Sequence, residues 1–330
     1  MKIAVIGAGS WGTALANLLA KKGERVHLLA RRPEVVEAIN RRHENPFYLP
    51  KIELSPKLEA TLEAPEALEG AEIVVLAVPS HALRETVRSL RPHLGPPKPL
   101  VSTIKGLEEE TLLTMSQLLE EELPGFPVVV LSGPSFAEEV AQERPTAVTV
   151  AGYRREIAES VQHLFSTGYF RAYLSLDVLG VELAGALKNV IAIAVGISDG
   201  LGLGLNARAA LITRGLAEIS RLGVRLGANP LTFSGLAGLG DLVLTCTGAL
   251  SRNRTVGLRL GRGEKLKDIL RDIRQVAEGV RTTVSARELA RRHGVEMPIT
   301  EAVYRVLYHE ESPLEMAQSL LSRKLKEEFA

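Results

Sequence analysis

The chain has one cysteine, Cys246, among its 330 residues, so it cannot form an intrachain disulfide bond. Its net charge is only +1, from 40 basic and 39 acidic side chains, which gives no general attraction for nucleic acid or for an anionic membrane surface. The apolar stretch from Val190 to Ile197 is far shorter than the roughly 18 residues that a membrane span needs. No cluster of His, Cys and Asp has the spacing of metal ligands. We therefore expect no nucleic-acid partner, no membrane insertion and no metal.

The N-terminal sequence MKIAVIGAGS reaches glycine too early for a signal peptide. Together with the single cysteine, this predicts a reducing, cytoplasmic location. A length of 330 residues predicts two domains.

The N-terminal segment combines a strand pattern, a glycine-rich turn and a helix pattern. Residues 2–6 are mostly apolar, the motif GAGSWG occupies residues 7–12, and a helical pattern follows. In this setting the spacing of Gly7, Gly9 and Gly12 allows a tight turn and close approach of a pyrophosphate, whose charge the helix N-terminal amides bind. We predict a dinucleotide site here, with a purely structural glycine turn as the alternative.

Two arginines, Arg31 and Arg32, stand where such domains usually carry the acid that binds the adenine ribose. Pro33 follows and predicts the start of a helix, whose dipole disfavours cations at that end. The 2′-phosphate of a bound NADP(H) would offset this unfavourable interaction, so the arginine pair favours NADP(H). The arginines could also be solvated, or stack on the adenine of either cofactor, so NAD(H) use stays open.

Short β-branched segments alternate with helical patterns through the first half of the chain. The further predicted strands cover residues 25–30, 72–78, 98–104, 127–131, 146–151 and 169–174. This alternation predicts an α/β fold, with a doubly wound Rossmann-type domain over residues 1–178 and an all-helical domain over residues 179–330. Such sheets bind ligands beyond the carboxyl ends of their strands.

Segments that follow three of these strands carry candidate side chains. They are Pro79-Ser80-His81, the segment of residues 103–106, and Ser132-Gly133-Pro134-Ser135. Lys105 is a charged group at a strand end. Ser135 begins the sequence SFAE, which has the pattern of a capping box and would then need no binding role. His81 could be a general acid, although an exposed position at a helix start is favoured.

The second half contains three further candidate features. Lys188 lies within a long apolar helical pattern at residues 180–200, so its amine either extends to water or is used in a cleft. Asp241 is the acid of an otherwise uncharged, glycine-rich stretch and needs a partner such as a lysine amine or a substrate hydroxyl. The segment SRNR at residues 251–254 opens a helix and could bind phosphate, or could be a plain N-cap with solvated arginines.

A set of segments matches the motifs of one known family in the same order. They are GAGSWG at 7–12, STIKG at 102–106, SGPSFAEEV at 132–140, ELAGALKNVIAIAVGISDG at 182–200, GLAGLGDLVLTCTG at 235–248, LSRNR at 250–254 and VAEG at 276–279. The chain thus resembles the NAD(P)-dependent glycerol-3-phosphate dehydrogenases of bacterial type. The resemblance implies reversible hydride transfer between NADP(H) or NAD(H) and C2 of dihydroxyacetone phosphate, a small phosphorylated three-carbon substrate, to give sn-glycerol 3-phosphate for phospholipid synthesis.

The resemblance also implies roles for individual residues. Lys188 would be the catalytic acid and base, with Lys105 and Asp241 beside it. The implied substrate contacts are Lys105, Gly133, Ser135, Lys188, Asp241, Ser251, Arg252 and Asn253. The implied cofactor contacts, besides the glycines and Arg32, are Ser10, Trp11, Arg31, Lys105, Ala137, Arg252, Val276 and Glu278. Members of the family are commonly homodimers.

The chemistry of ketone reduction agrees with this assignment. Negative charge develops on the C2 oxygen, which needs a proton donor aimed at it. Burial and a nearby Lys105 would lower the pKa of Lys188, and Asp241 would hold the two amines together. Two alternatives remain: a related two-domain 3-hydroxy acid dehydrogenase, against which the SRNR segment argues, and an NAD(P)-sensing protein, which would not need both lysines and Asp241.

Overall fold

A single sheet forms the centre of the N-terminal half in the structure, a computed structural model that describes residues 1–273, 276–325 and 327–328. The strands are β1 (Lys2–Ile6), β2 (Arg25–Leu29), β3 (Leu58–Thr61), β4 (Ile73–Leu76), β5 (Leu100–Ser102), β6 (Val128–Ser132), β7 (Thr146–Gly152) and β8 (Phe170–Ser175). Their order across the sheet is β3-β2-β1-β4-β5-β6-β7-β8. Strands β1 to β6 are parallel, β7 is antiparallel to β6, and β8 is parallel to β7.

Helices cover both faces of this sheet. They are α1 (Ser10–Lys22), α2 (Pro33–Arg42), α3 (Ala64–Leu68), α4 (Leu83–Leu90), α5 (Met115–Glu122), α6 (Ala137–Ala141) and α7 (Arg155–Phe165). Alternate residues of a strand point to opposite faces, so Ile3 and Val5 enter one apolar cluster while Ala4 and Ile6 enter another. The predicted doubly wound α/β arrangement is confirmed.

Strand β3 was not predicted from the sequence. It has only four residues, its Glu59 is exposed, and it pairs with β2 at the edge of the sheet. An edge strand is less completely buried than a central strand. The hydrophobic pattern of β3 is therefore too weak to predict a strand from the sequence.

After β8, the regular secondary structure of the described residues is helical. Its helices are α8 (Val178–Gly200), α9 (Gly204–Arg225), α10 (Pro230–Phe233), α11 (Asp241–Thr247), α12 (Arg252–Gly261), α13 (Leu266–Asp272), α14 (Glu278–Arg292), α15 (Pro298–Tyr308) and α16 (Pro313–Leu321). The predicted all-helical second half is confirmed. The domain division at residues 178/179 stays a prediction, and it falls at the first residue of α8.

Helix α8 is the central element of this half. It is long and apolar enough to cross a membrane, with a mean hydropathy of 1.8, but 94% of its most apolar window is buried inside the protein. The Asp177 side chain caps its start by accepting a hydrogen bond from the backbone N–H of Gly180 at 3.0 Å. The surrounding helices, and not lipid, therefore cover its apolar surface.

Glycines allow α8 and α12 to pack backbone against backbone. Gly196 and Gly200 on α8 face Gly257 and Gly261 on α12, and a Cβ atom built on Gly257 would lie 2.0 Å from the carbonyl oxygen of Ile193. No side chain can move to relieve such a contact. The close packing therefore fixes the position of α12, whose first residues carry the SRNR motif.

We predict that Gly257→Ala lowers the free energy of unfolding by about 3 kcal/mol, because the two helix backbones must separate to admit the methyl group. Urea denaturation followed by circular dichroism measures this change. Gly168→Ala is the matched control, since a Cβ at Gly168 meets nothing within 4 Å. Equal stability of the two variants would contradict the predicted close contact.

Candidate active site

A cleft of about 1040 Å³ lies between the carboxyl ends of the strands and helices α8, α11 and α12. Residues from both halves of the chain form its walls. The predicted site residues that line it are Gly7, Gly9, Ser10, Trp11, Arg31, Arg32, Lys105, Ser135, Ala137, Lys188, Asp241, Ser251, Arg252, Asn253, Val276 and Glu278. Gly12 and Gly133 do not line it, but each supports a part of the wall.

The carboxylate of Asp241 lies between two lysine amines. Its Oδ1 accepts from Lys188 Nζ at 2.6 Å and its Oδ2 accepts from Lys105 Nζ at 2.7 Å. Lys188 Nζ also donates to Thr245 Oγ1 at 2.7 Å, and Lys105 Nζ donates to the Gly133 carbonyl at 3.0 Å. Lys188 is only 5% exposed, so its amine does not extend to bulk water and instead ends at the wall of the cleft.

Burial is the main reason why the pKa of Lys188 is lowered to about 8, since a desolvated ammonium loses its hydration. The charge of Asp241 opposes this shift and that of Lys105 adds to it. Burial would raise the pKa of Asp241, but the two ammonium groups keep it below its usual value. Lys188 can therefore both donate and accept a proton near neutral pH, while Asp241 stays ionised.

Local structure brings these groups together. Asp241 is the first residue of α11 and follows a π-helical turn over Leu236–Gly240. Thr245 lies one turn further along α11, and its hydroxyl donates to the Asp241 carbonyl at 2.6 Å. Thr245 was not predicted as a site residue. Its position four residues after Asp241 on the same helix face is the signal that could have identified it.

A chain of amide groups links α8, α12 and α14. The Asn189 Oδ1 atom accepts from Asn253 Nδ2 at 2.9 Å, and the Asn253 Oδ1 atom accepts from the Gly279 backbone N–H at 2.9 Å. A Cβ on Gly279 would lie 2.6 Å from the Asn189 carbonyl oxygen, so glycine is needed here. These contacts fix the start of α12 against the cleft.

The two arginines of the SRNR motif have different environments. Ser251 caps α12 by accepting from the Arg254 backbone N–H at 3.2 Å, and the Arg254 side chain pairs with Asp199 at 2.7 Å. Arg252 is exposed to the cleft and makes no hydrogen bond or ion pair with any described residue. Burial by the cleft walls lowers its pKa, and the charge of Glu278 partly offsets this effect. Arg252 is therefore a cation available to an anionic ligand.

The glycine-rich loop has the shape that a pyrophosphate requires. Gly7 has a φ of 109°, and a Cβ on Gly12 would lie 1.9 Å from the Gly7 carbonyl oxygen. Gly9 is the N-cap of α1 and provides no side-chain cap, so the start of this helix faces the cleft without a capping side chain. The Ser10 hydroxyl donates to the Tyr48 carbonyl. These residues fit a dinucleotide.

The predicted helix start after the arginine pair is confirmed. Arg32 is the N-cap of α2 and Pro33 occupies its first position. The Arg32 guanidinium lies 4.6 Å from the centre of the Phe47 ring and 3.6 Å from Glu34, contacts that offset the unfavourable helix dipole. Arg31 is exposed and, within the described part of the chain, has no hydrogen-bond or ion-pair partner.

The capping-box prediction for Ser135 is wrong. Helix α6 begins at Ala137 with Phe136 as its N-cap, one residue later than that pattern requires, and the Ser135 hydroxyl instead donates to the Gly133 carbonyl at 2.9 Å. His81 is exposed and does not line the cleft. Among the described residues, no group of three or more His, Cys, Asp or Glu side chains could hold a metal ion.

Comparison with known proteins identifies similar chains over almost the whole length. Residues 2–158 match the family described as NAD-dependent glycerol-3-phosphate dehydrogenase N-terminus, and residues 177–318 match the corresponding C-terminus family. A protein of Anaeromyxobacter dehalogenans named glycerol-3-phosphate dehydrogenase (NAD(P)+) is 57% identical over 333 residues, covering 100% of both chains. A protein of the same name from Syntrophobacter fumaroxidans is 54% identical, covering 99% of this chain and 97% of the relative.

A solved structure is also closely similar. The crystal structure of glycerol-3-phosphate dehydrogenase from Coxiella burnetii superposes with a TM-score of 0.94 at 42% identity, covering 98% of this chain and 99% of the other. The agreement extends over both the sheet and the helical half.

Replacing Asp241 with asparagine should lower the pKa of Lys188 below its value of about 8, because the neutral amide removes the anion that stabilises the ammonium. We expect a decrease of about one pH unit or more. An NMR titration of lysine labelled at Cε measures it, with Lys188→Met to assign the signal. Asp272→Asn, at an exposed ion pair with Arg259, is the control. An unchanged or increased pKa would contradict this electrostatic account.

Proposed function

This chain belongs to the NAD-dependent glycerol-3-phosphate dehydrogenase family, and we propose that Lys188 is the general acid and base of its reaction. The enzyme is an oxidoreductase that interconverts dihydroxyacetone phosphate and sn-glycerol 3-phosphate with NADP(H) or NAD(H). When bound, the nicotinamide cofactor supplies or accepts the hydride at C2. The residues of the cleft must move the proton and hold the substrate.

The buried contact of Lys188 with Asp241 supports the proposal most directly. Hydride arrival at C2 leaves negative charge on the ketone oxygen, and protonated Lys188 donates the proton that neutralises it. In the reverse direction, neutral Lys188 accepts the hydroxyl proton. A pKa of about 8 lets one amine serve both directions near neutral pH.

Lys105 and Asp241 support this step. Lys105 places a second positive charge beside the reacting oxygen, where it stabilises the developing negative charge and contacts both substrate and cofactor. Asp241 holds both amines by its two oxygens, at 2.6 and 2.7 Å, and so keeps two like charges in the same cleft.

The phosphate of the substrate is bound by Arg252 together with the amides at the start of α12. Arg252 has no ion-pair partner among the described residues, the helix end attracts anions, and Ser251 and Asn253 provide further polar groups. Gly133 and Ser135 complete the substrate site on the side of the sheet. Binding energy from the phosphate then positions C2 for reaction.

The cofactor occupies the part of the cleft beside the glycine-rich loop. The N-terminus of α1, at Gly9 and Ser10, binds the pyrophosphate, with Trp11 beside it. Arg31 and Arg32 lie at the adenine end, where the exposed guanidinium of Arg31, which has no partner in the described part of the chain, favours NADP(H). Further wall contacts come from Ala137, Val276 and Glu278.

The setting of the reaction follows from the same proposal. We propose that the chain divides into a Rossmann-type domain over residues 1–178 and a helical domain over residues 179–330, with the cleft between the two. We propose that the protein is cytoplasmic, forms a homodimer and supplies glycerol 3-phosphate for phospholipid synthesis. The family resemblance and the reducing environment indicated by one cysteine support this setting.

Lys188→Ala should reduce kcat for dihydroxyacetone phosphate by at least about a hundredfold while the cofactor dissociation constant stays near that of the wild type, because only the proton donor is lost. NADPH oxidation at 340 nm gives kcat, and quenching of Trp11 fluorescence gives the dissociation constant. Lys57→Ala, at an exposed lysine, is the control. Near-normal turnover would remove Lys188 from the mechanism.

Arg252→Ala should raise the KM for dihydroxyacetone phosphate by at least about tenfold, because the phosphate loses a charge-assisted contact. Turnover of unphosphorylated dihydroxyacetone, measured in parallel, should change much less. Arg262→Ala, just beyond the other end of α12, serves as the matched control. If both substrates lose activity equally, the phosphate binds elsewhere.

A further inference from the structure

We propose that Ser80 is a positioning residue that holds the Glu278 carboxylate away from Arg252, so that the guanidinium stays free for the substrate phosphate. The inference rests on the proposed role of Arg252. Ser80 follows β4 in the N-terminal half, while Glu278 begins α14 in the helical half. The contact therefore connects the two sides of the cleft.

Ser80 binds both oxygens of the Glu278 carboxylate. Its backbone N–H donates to Oε1 at 3.0 Å and its hydroxyl donates to Oε2 at 2.5 Å. Ser80 is only 4% exposed. A Cβ on Gly106 would lie 2.5 Å from the Ser80 Cβ and 3.4 Å from Glu278 Oε2, so glycine at this position leaves room for the pair.

Glu278 and Arg252 are neighbours in space. Asn253 directly follows Arg252, and Gly279 directly follows Glu278. The Gly279 backbone N–H donates to the Asn253 side chain at 2.9 Å, so the two preceding residues are held close to each other. Both side chains line the same cleft, and the negative charge of Glu278 already acts on Arg252. Yet Arg252 forms no ion pair among the described residues, since the Glu278 oxygens are bound to Ser80.

Loss of the Ser80 hydroxyl would change this balance. One carboxylate oxygen would lose its donor within a partly desolvated cleft, and a guanidinium is the strongest replacement partner there. An ion pair of Glu278 with Arg252 would then compete with the substrate phosphate. Helix α14 itself would remain in place, because one face of it, including Val280, Thr283 and Ala286, is buried in the protein.

The test compares Ser80→Ala, Glu278→Gln and the double variant in steady-state assays with dihydroxyacetone phosphate and NADPH. Ser80→Ala should raise the KM for dihydroxyacetone phosphate about tenfold and leave kcat within about threefold of the wild type. The double variant should have a lower KM than Ser80→Ala alone, because a neutral amide cannot form the competing ion pair. Ser160→Ala is the control, since that hydroxyl bonds only its own helix α7.

A second measurement needs no turnover. Binding of sn-glycerol 3-phosphate to the cofactor-free protein, followed by thermal shift, should weaken about tenfold in Ser80→Ala and recover in the double variant. The chain has a single tryptophan, Trp11, which lines the cleft, so its fluorescence reports NADPH binding. The dissociation constant of NADPH should change less than the KM for dihydroxyacetone phosphate.

Two results would overturn the proposal. The first is a KM of Ser80→Ala for dihydroxyacetone phosphate that equals the wild-type value. The second is a double variant whose KM is at least as high as that of Ser80→Ala, which is the result expected if the contact is purely structural. A different result would show that Arg252 does not bind the substrate phosphate. In that case Arg252→Ala itself would leave the KM for dihydroxyacetone phosphate unchanged.

Discussion

The buried carboxylate of Asp241 is the group on which the site depends. Two ammonium groups repel each other strongly where water is excluded, and one of them, on Lys188, lies in a largely apolar helix. By accepting from Lys105 and Lys188 with separate oxygens, Asp241 makes both positions tolerable. Burial still lowers the pKa of Lys188, and the result is an amine that is charged enough to donate a proton and neutral enough to accept one.

Helix α8 provides the rigid frame for this chemistry. Its glycines admit the backbone of α12 on one side, and Gly185 admits the end of β6, where a Cβ would lie 2.8 Å from Ser132 Oγ. Close packing of this kind leaves little freedom of movement, so Lys188 keeps a fixed position relative to both the sheet and helix α12. The long apolar helix α8 thus also carries the lysine that we propose as the general acid and base.

The cations in and beside the cleft fall into two groups. Arg32, Arg254 and the two lysines each have a partner that holds them in place. Arg31 and Arg252 have none among the described residues, and these are the positions at which the two ends of the bound molecules would bring phosphate groups. Under the proposed function, a chain of nearly zero net charge would bind multiply charged anions through the cations that have no partner among the described residues.

Much of this could be predicted from residue order alone. The glycine loop, the α/β alternation and the helical second half are local patterns in the sequence. The motifs also name Lys188, Asp241 and Arg252, which the structure brings to the walls of one cleft. Strand β3, the role of Thr245 and the contact of Ser80 with Glu278 could not be predicted in this way. They arise where segments as far apart as 198 positions meet, and only the packing of the two halves determines which donor faces which carboxylate. Ser135 shows the same limit of prediction from local sequence. Its sequence pattern predicts a helix cap, but in the folded loop its hydroxyl donates to the Gly133 carbonyl instead.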